Sequence, residues 1–386
     1  MILNLKKLNE SVEYHHFKMD TLEFALNLIK PNSFCASIDL RHAYYSVPIA
    51  EQYQIYLRFI WKDCIYQYTC LPNGLASAPR LFTKLMKVVY ATLRRMGHVN
   101  IGYIDDSLLI GDTFEECKHN VQDTVKLVTD LGFIVHEDKS VFVPSKKLQF
   151  LSFLIDTEKM IVTLTQEKKD RLVEECQKLI SKKQATIREV ARVLGLIFSS
   201  FSGVDYGQLF YREIEVEKIQ ALKLARGNFD LKMQISENVK CEMTWWVKNI
   251  HNQYRVLNRN NPQVVLQTDA SLLGWGAVMN DSKTGGRWNY DEKENHINYL
   301  ELLAVFYALK AFQCQLKKCN HEKILSDNTT AVSYINHMGG VKSPCCNSLA
   351  KSIWFWAKQH KIWLTASHIA GKDNITADIQ SRKFND

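Results

Sequence analysis

The sequence predicts an α+β fold that is divided into more than one domain. At 386 residues, the chain is long enough for two or three domains. Residues 1–160 alternate short β-rich runs with helical patterns, and residues 165–250 are mostly helical in pattern. Strands mixed with helices return after residue 261. This order predicts separate cores and boundaries near 160 and 260, giving segments 1–160, 161–260 and 261–386.

The composition is that of a globular protein with a modest basic excess. The chain is 46% hydrophobic, and its 49 Lys and Arg residues exceed its 41 Asp and Glu residues. Such an excess fits a nucleic-acid partner without requiring one. No apolar run is long enough for a membrane span, and no signal-peptide core is seen near the N-terminus. The ten cysteines lack zinc spacing, so we expect reduced thiols in a cytoplasmic or nuclear protein that is not secreted.

The first segment is predicted to contain strands around two helices. Residues 34–40 are an apolar, β-prone run with an acid near its end. Residues 79–95 have apolar side chains at helical spacing behind a proline, which predicts a helix. Residues 99–110 are predicted to form a hairpin. Residues 113–131 form a second predicted helix with Thr as its N-cap, and residues 133–161 are mostly β in pattern.

The middle segment is predicted to be helical. Thr186-Ile187-Arg188-Glu189 is a candidate capping box ahead of an apolar run. Residues 258–262 are a polar breaker that marks the domain boundary. A basic cluster could be either a solvated helix face or a surface that follows phosphates, and it comprises Lys168, Lys169, Arg171, Lys178, Lys182, Lys183, Arg188 and Arg192.

The last segment is predicted to follow a β-β-β-α-β-α-α-β order. The expected strands are residues 264–268, 274–279, 286–290, 323–326 and 362–366. The expected helices are residues 299–314, 328–337 and 347–360, followed by a short charged tail.

Adjacent aspartates in the first segment suggest a metal site. In Tyr103-Ile104-Asp105-Asp106, two acids lie between β-prone runs, and a tight hairpin would bring them together at its tip. Crowded carboxylates suit divalent metals, although an isolated Asp-Asp turn can also be merely solvated. Asp39 supplies a third carboxylate near a strand end, although alone it is typical of a strand-end or capping residue. Two-metal phosphoryl transfer needs carboxylates from separate elements that converge on one point.

Four further acids lie at element ends or in first helical turns of the last segment. Singly, each is typical of a helix cap or a first-turn acid. They are more specific as an ordered set. The first acid lies in Thr268-Asp269-Ala270-Ser271, the motif Gly274-Trp275-Gly276-Ala277 comes next, and the other three acids follow. The set comprises Asp269, Glu301, Asp327 and Asp378.

At these residues the first segment resembles the reverse transcriptase family. Residues 37–44 resemble its first catalytic motif, and residues 71–79 resemble its motif that faces template and nucleotide. Residues 103–106 resemble its YxDD box, and residues 148–154 resemble its primer-grip hairpin. The resemblance implies that Asp39 and Asp105 are the main metal ligands and that Asp106 supports the site.

The resemblance also implies a nucleotide-facing set, which comprises His42, Ala43, Tyr44, Asn73 and Lys139. Tyr44 is similar to the aromatic residue that excludes a ribose 2′-OH, and its alternative role is packing against Tyr45 and Val47. Lys139 corresponds to a lysine near the incoming triphosphate, or it is simply a surface lysine. Asn73 stands where retroviral enzymes carry Gln and related retrotransposon enzymes often carry Phe.

The four later acids resemble the Asp-Glu-Asp-Asp site of the ribonuclease H domain. His368, in His368-Ile369-Ala370-Gly371-Lys372, is similar to the histidine of that family's mobile loop. The resemblance implies that all seven acids are metal ligands, with two Mg²⁺ ions per active site and Mn²⁺ as the alternative. Contacts to the 2′-OH groups of an RNA strand are expected from Asn298, Asn328 and Thr268.

Together, the motifs resemble the reverse transcriptase/ribonuclease H region of a retrotransposon Pol polyprotein, of DIRS type first and gypsy type next. The implied fold is a polymerase right hand, with a palm and truncated fingers over 1–160 and a thumb or connection over 161–260. A ribonuclease H-like α/β domain with a mixed five-stranded sheet would follow over 261–386. The implied partners are an RNA template, a DNA primer, an RNA-DNA hybrid and dNTP, with no membrane. The oligomeric state stays open.

Three functions remain in competition. The first is RNA-directed DNA polymerase with ribonuclease H activity. The second is nuclease activity alone, because the segment from Ile2 to Asn9 resembles the stretch directly after the triphosphate-gripping fingers residues, so those residues are expected to lie before Met1. The third is a non-catalytic nucleic-acid-binding derivative. The intact acids argue against it, since seven carboxylates repel a phosphate backbone.

Overall fold

The computed structural model describes residues 3–13, 15–317 and 319–383; Ile2, where the stretch predicted to follow the fingers residues begins, lies outside them. The chain divides into two compact units. The first comprises Met1–Thr165 with Tyr254–Asn258, and the second comprises Gln166–Gln253 with Arg259–Asp386. The helical middle segment therefore groups with the last segment.

Strands are spread over both units. In chain order they are β1 (Phe34–Arg41), β2 (Arg58–Trp61), β3 (Cys64–Gln67), β4 (Val99–Tyr103), β5 (Asp106–Gly111), β6 (Ile134–Val135), β7 (Val141–Ser145), β8 (Lys147–Phe150), β9 (Phe153–Asp156), β10 (Ile161–Leu164), β11 (Gln184–Thr186), β12 (Lys232–Gln234), β13 (Arg255–Val256), β14 (Val264–Ala270), β15 (Gly274–Met279), β16 (Ser282–Arg287), β17 (His321–Ser326) and β18 (Trp363–His368).

Helices lie before, between and after these strands along the chain. They are α1 (Lys6–Ser11), α2 (Leu22–Asn27), α3 (Glu51–Gln54), α4 (Ala78–Arg95), α5 (Phe114–Asp130), α6 (Gln166–Ile180), α7 (Ile187–Phe198), α8 (Arg212–Leu224), α9 (Glu237–Asn249), α10 (Tyr290–Lys293), α11 (Ile297–Ala311), α12 (Gln313–Leu316), α13 (Thr329–Asn336), α14 (Pro344–Gln359) and α15 (Ile375–Arg382). Within the described residues, none of these helices combines the length and apolar character that crossing a membrane requires.

The core of the first unit lies between an antiparallel sheet and two helices. The sheet has the order β4-β5-β1, and both β6 and β7 pair with β1. Helix α4 buries Phe82, Met86 and Leu93, which recur at helical spacing, against this sheet. Helix α5 begins with a capping box between Thr113 and Glu116. Both predicted helices and the predicted hairpin are confirmed.

A second antiparallel sheet in this unit has the order β13-β10-β9-β8. Its β8–β9 hairpin occupies the stretch expected to form the primer-grip hairpin. Leu151 and Ser152 form the turn, and both have positive φ angles.

Helices α6 to α9 form the first part of the second unit. The predicted capping box at Thr186 is present, with Glu189 as its partner. The short β11–β12 pair was not predicted from the sequence. Much of the basic cluster is paired with acids, which favours a solvated helix face: Lys178 contacts Glu174 and Glu175, Lys182 contacts Glu189, Arg188 contacts Asp230, and Arg192 contacts Glu175.

The last segment forms a mixed five-stranded sheet of order β16-β15-β14-β17-β18, as predicted. The pairs β14–β15 and β15–β16 are antiparallel, while β14–β17 and β17–β18 are parallel. Two predictions were wrong. The third strand is Ser282–Arg287, earlier than expected, because cross-strand pairing to β15 outweighs the low β-propensity of its glycines. The expected tail contains α15, which packs on Gly276 so closely that an added Cβ would lie 2.2 Å from the Ala377 carbonyl oxygen.

Buried charges join helix α9 to helices α8 and α14 within the second unit. The carboxylate of Glu242 in α9 accepts hydrogen bonds from the backbone N–H groups of Glu213 and Ile214. It also accepts one at 2.9 Å from Lys351 Nζ in α14. Because Glu242 is 5% exposed, removing Lys351 would leave its buried charge without a counter-ion and destabilise this packing arrangement.

Candidate active sites

The three predicted acids of the first unit converge at one end of β1. Strands β1 and β5 pair with Asp39 opposite Asp106, and β4 and β5 pair with Tyr103 opposite Asp106. Asp105 lies in the turn between the strands, where its carbonyl oxygen accepts a hydrogen bond of 3.0 Å from the Leu40 N–H. The strand pairing therefore brings together carboxylates that are far apart in sequence.

The turn of this hairpin is strained. Ile104 has a φ angle of +57°, in the left-handed region that β-branched residues strongly avoid. Such strain persists only where the surrounding structure enforces it, and it is concentrated at functional sites. The turn at Ile104 directs the following aspartates toward β1.

The loop after β6 holds Asp39 from its other side. The Asp39 N–H donates to Ser140 Oγ at 3.0 Å, and its carbonyl oxygen accepts from the His136 N–H at 2.8 Å. This loop places Lys139 close enough for its charge to favour the ionised forms of Asp105 and Asp106. Lys139 is thus near Asp105 and Asp106, and its contact with a triphosphate stays a prediction.

Burial and mutual repulsion make these carboxylates harder to ionise. The pKa of Asp106 is raised to about 6, first by burial and then by the charges of Asp105 and Asp39. The pKa of Asp105 is also raised, mainly by burial. A divalent cation would relieve this repulsion, so the donor set fits a hard metal ion.

A cavity of about 280 Å³ opens beside Asp105. Its walls include four of the five residues predicted to face a nucleotide, and the lining comprises His42, Ala43, Tyr44, Tyr45, Asn73, Ile104 and Asp105. Tyr44 both lines the cavity and packs edge-on against Phe82, with ring centroids 5.7 Å apart. A packing role, here against Phe82, is therefore compatible with a nucleotide-facing role, which stays a prediction.

Three acids of the second unit also converge. Ligand oxygens of Asp269, Glu301 and Asp327 all lie within 4.8 Å of one another. Asp269 lies near the end of β14 and Asp327 directly follows the parallel neighbour β17, so both emerge at the same edge of the sheet. Glu301 projects from the beginning of α11. In the described part of the chain, this is the only group of three or more His, Cys, Asp or Glu residues whose ligand atoms lie this close to one another.

These three side chains are strongly coupled. The pKa of Glu301 is raised to about 8, first by burial and then by the charges of Asp269 and Asp327. The pKa of Asp269 is raised by burial, although Ser381 Oγ donates to its carboxylate at 2.7 Å. Three buried carboxylates that repel one another fit a divalent cation with oxygen ligands.

The two remaining predicted residues lie at the margin of this cluster. Asp378, in α15, is near enough to raise the pKa of Asp269, but its carboxylate accepts from Arg382 Nε at 2.8 Å. His368 ends β18, opposite Ser326 in register, and its side chain is exposed.

One predicted RNA contact is wrong. Thr268 is 0% exposed, so its hydroxyl cannot reach a substrate. Asn328 and Asn298 are partly exposed, and Asn328 Nδ2 donates to Asn298 Oδ1 at 2.8 Å, so these two side chains act as a pair. The alternation of β14 places Thr268 toward the core, which its position beside Asp269 did not reveal.

The structure thus contains two acidic clusters, one in each unit, on an α+β fold that includes a mixed five-stranded sheet. A family described as "Reverse transcriptase (RNA-dependent DNA polymerase)" matches residues 1–155. Residues 1–155 are therefore similar to this family, and the chain as a whole is similar to part of viral polyproteins.

Among its relatives, the enzymatic polyprotein of Cauliflower mosaic virus (strain Strasbourg) is 24% identical over 413 residues, covering 100% of this chain. The genome polyprotein of Petunia vein clearing virus (isolate Shepherd) is 24% identical and covers 99% of it. The chain spans 55% of the first relative and 17% of the second. It thus corresponds to part of each.

Two solved structures share the fold. The foamy viral protease-reverse transcriptase dRH in complex with ds DNA has a TM-score of 0.57 at 18% identity, covering 100% of this chain and 63% of that one. The foamy viral protease-reverse transcriptase in complex with RNA/DNA hybrid has a TM-score of 0.56 at 17% identity, covering 95% and 48%. This likeness confirms the predicted α+β fold class.

Proposed function

We propose that the chain is an RNA-directed DNA polymerase with ribonuclease H activity. The observation that carries this proposal is the convergence of Asp39, Asp105 and Asp106 beside a cavity lined by the predicted nucleotide-facing residues. Two divalent cations per site, Mg²⁺ before Mn²⁺, are part of the proposal. The carboxylate donor sets support hard cations without distinguishing between these two.

At the polymerase site, Asp39, Asp105 and Asp106 would hold the cations. Bound there, the cations would stabilise charge on the attacking and leaving oxygens of phosphoryl transfer. Tyr44 forms a wall of the cavity, where its ring would exclude a nucleotide bearing a 2′-OH. Lys139 supplies a positive charge near the aspartates, suited to a triphosphate.

At the nuclease site, Asp269, Glu301 and Asp327 would hold the cations, and Asp378 would complete the set. Cations at this site would supply an activated water and stabilise the leaving 3′ oxygen. The exposed His368 would assist proton transfer or product release. The paired Asn298 and Asn328 would contact the RNA strand of a hybrid.

The substrates that follow are an RNA template, a DNA primer, an RNA-DNA hybrid and dNTP. Related solved structures contain ds DNA and an RNA/DNA hybrid, which supports nucleic acid as the partner. A retrotransposon origin of DIRS or gypsy type and a cytoplasmic or nuclear location belong to the same proposal. So does the three-part organisation into palm with fingers, thumb or connection, and nuclease. These last points rest on sequence motifs.

Primer extension on an RNA template with Mg²⁺ tests the polymerase. We expect extension by the wild type and a loss of about a hundredfold or more in Asp105→Asn, because a metal-ligating charge is removed. Asp112→Asn is the matched control, since this exposed aspartate lies outside the site and pairs with Lys30. Extension that survives in Asp105→Asn would contradict the assignment.

Nuclease activity alone is the second candidate. It is favoured by the tighter gathering of acids at the second site, where the ligand atoms lie within 4.8 Å. Hybrid cleavage and synthesis measured on one preparation separate the two candidates. Cleavage without synthesis would establish the second, and robust synthesis would exclude it. Binding without either activity would instead favour the non-catalytic derivative.

A further inference from the structure

Tyr45 is a cavity-lining residue that the sequence presented only as a packing neighbour of Tyr44. Its hydroxyl accepts a hydrogen bond of 3.3 Å from Asn73 Nδ2. The same hydroxyl shares a hydrogen bond with that of Tyr68. Its ring stacks on His42, with centroids 5.8 Å apart and an interplanar angle of 27°. Tyr45 therefore contacts two residues of the nucleotide-facing set at once.

The loop that carries Asn73 is already fixed through its backbone. Asn9 Nδ2 donates to the Gly74 carbonyl oxygen at 2.9 Å, and Asn9 Oδ1 accepts from the Ala76 N–H at 2.8 Å. What remains free is the direction of the exposed Asn73 side chain. A short amide at the mouth of a cavity would turn toward water unless a partner held it.

We propose that Tyr45 is a positioning residue whose hydroxyl holds the Asn73 amide toward the incoming nucleotide. This inference rests on the proposed polymerase function. In the nucleotide-bound state, the amide would meet its ligand without first losing rotational freedom. Tyr68 would orient the Tyr45 hydroxyl from the other side.

A row of packed aromatic rings allows the role of the Tyr45 hydroxyl to be tested separately from that of its ring. Tyr45 lies against Tyr68 at 6.1 Å, and Tyr68 lies against Phe59 at 5.6 Å. Phe59 in turn stacks on Tyr66 at 5.6 Å. These contacts would keep a phenylalanine ring at position 45 in place. Tyr45→Phe therefore removes the hydrogen bonds while leaving the cavity wall.

Single-nucleotide incorporation tests the inference. Tyr45→Phe should raise the KM for dNTP by about twofold to tenfold, the usual effect of losing one net hydrogen bond, with kcat nearly unchanged. In an Asn73→Ala background, Tyr45→Phe should add nothing further, because its effect passes through the amide. Tyr66→Phe is the matched control, since it removes an exposed phenolic hydroxyl from the same row outside the cavity.

A second readout does not depend on catalysis. With a dideoxy-terminated primer, dNTP-dependent retention of the template-primer complex in a gel shift should weaken in Tyr45→Phe. The inference would be overturned if Tyr45→Phe left both the KM for dNTP and the retention unchanged. It would also be overturned if Tyr45→Phe had the same effect in the wild type and in the Asn73→Ala background. Neither result would contradict the polymerase proposal. A wild type that neither extends nor retains the primer would overturn both. Unchanged Tm in Tyr45→Phe is expected, and a lowered kcat and Tm without a KM change would show a structural role instead.

Discussion

Glu322 is a buried carboxyl group whose titration should control the stability of the second unit. It lies in β17, between Val264 of β14 and Leu364 of β18 in register. Its exposure is 0%, and among the described residues neither carboxylate oxygen has a hydrogen-bond partner. Burial raises its pKa from 4.5 to about 8. Folding therefore favours the protonated, neutral form of this side chain.

Whether stability rises or falls with pH depends on which state, folded or unfolded, binds the Glu322 proton more tightly. Between pH 4.5 and pH 8 the folded chain keeps the Glu322 proton while the unfolded chain releases it. The free energy of unfolding therefore falls as pH rises through this window. The difference between the two pKa values corresponds to about 5 kcal/mol in all, of which about 3 kcal/mol is lost between pH 5 and pH 8. Glu322→Gln stays neutral and avoids this loss.

Urea unfolding followed by Trp fluorescence measures the effect, because every Trp except Trp61 lies in the second unit. Relative to the wild type, Glu322→Gln should gain about 3 kcal/mol between pH 5 and pH 8. Glu294→Gln, at an exposed position, is the control and should follow the wild type at both pH values. Parallel pH profiles for the wild type and Glu322→Gln would refute the reasoning.

Three further perturbations test the sites and the fold. Glu301→Gln should remove the rise in Tm that millimolar Mg²⁺ gives the second unit, measured by Trp fluorescence, since bound ligand stabilises by about 2.7 kcal/mol at a hundred times Kd; an equal rise for this unit in both proteins would argue against this metal site. Gly102→Ala should destabilise the first unit by at least about 1–3 kcal/mol in urea unfolding, because a Cβ would lie 2.0 Å from the Tyr90 ring; an unchanged midpoint would contradict this packing. Thr113→Ala should cost about 1 kcal/mol through loss of the cap bond to the Glu116 N–H, whereas Thr113→Ser should not; equal losses would exclude the cap.

Much of the fold could be predicted because local patterns and long-range packing agree. The hairpin over β4 and β5 has apolar residues in both strands around its polar turn, and α5 carries its own capping box. The predictions that were wrong or missing concern strands that form only because they pair with a neighbouring strand. Strand β16 is rich in glycine and forms through its register with β15, and β11 and β12 pair across a long stretch of helix. No local pattern marks such strands.

The candidate sites were predictable as residue types but not as geometry. Acids such as Asp39 and Asp269 could be recognised by their motifs. The pairing of Asp39 with Asp106 depends on strand register, which sequence spacing does not determine. Thr268 points into the core although its neighbour Asp269 belongs to the site, since adjacent residues of a strand face opposite ways. The role of Tyr45 required a contact with Asn73 that only the folded loop provides.

The central claim is that one chain carries two independent phosphoryl-transfer sites. The most direct test measures synthesis on an RNA template and cleavage of an RNA-DNA hybrid, on the same preparations of the wild type, Asp105→Asn and Glu301→Gln. We expect Asp105→Asn to lose synthesis and retain cleavage, and Glu301→Gln to lose cleavage and retain synthesis. Loss of both activities in either variant with its fold intact, or retention of both, would contradict the claim.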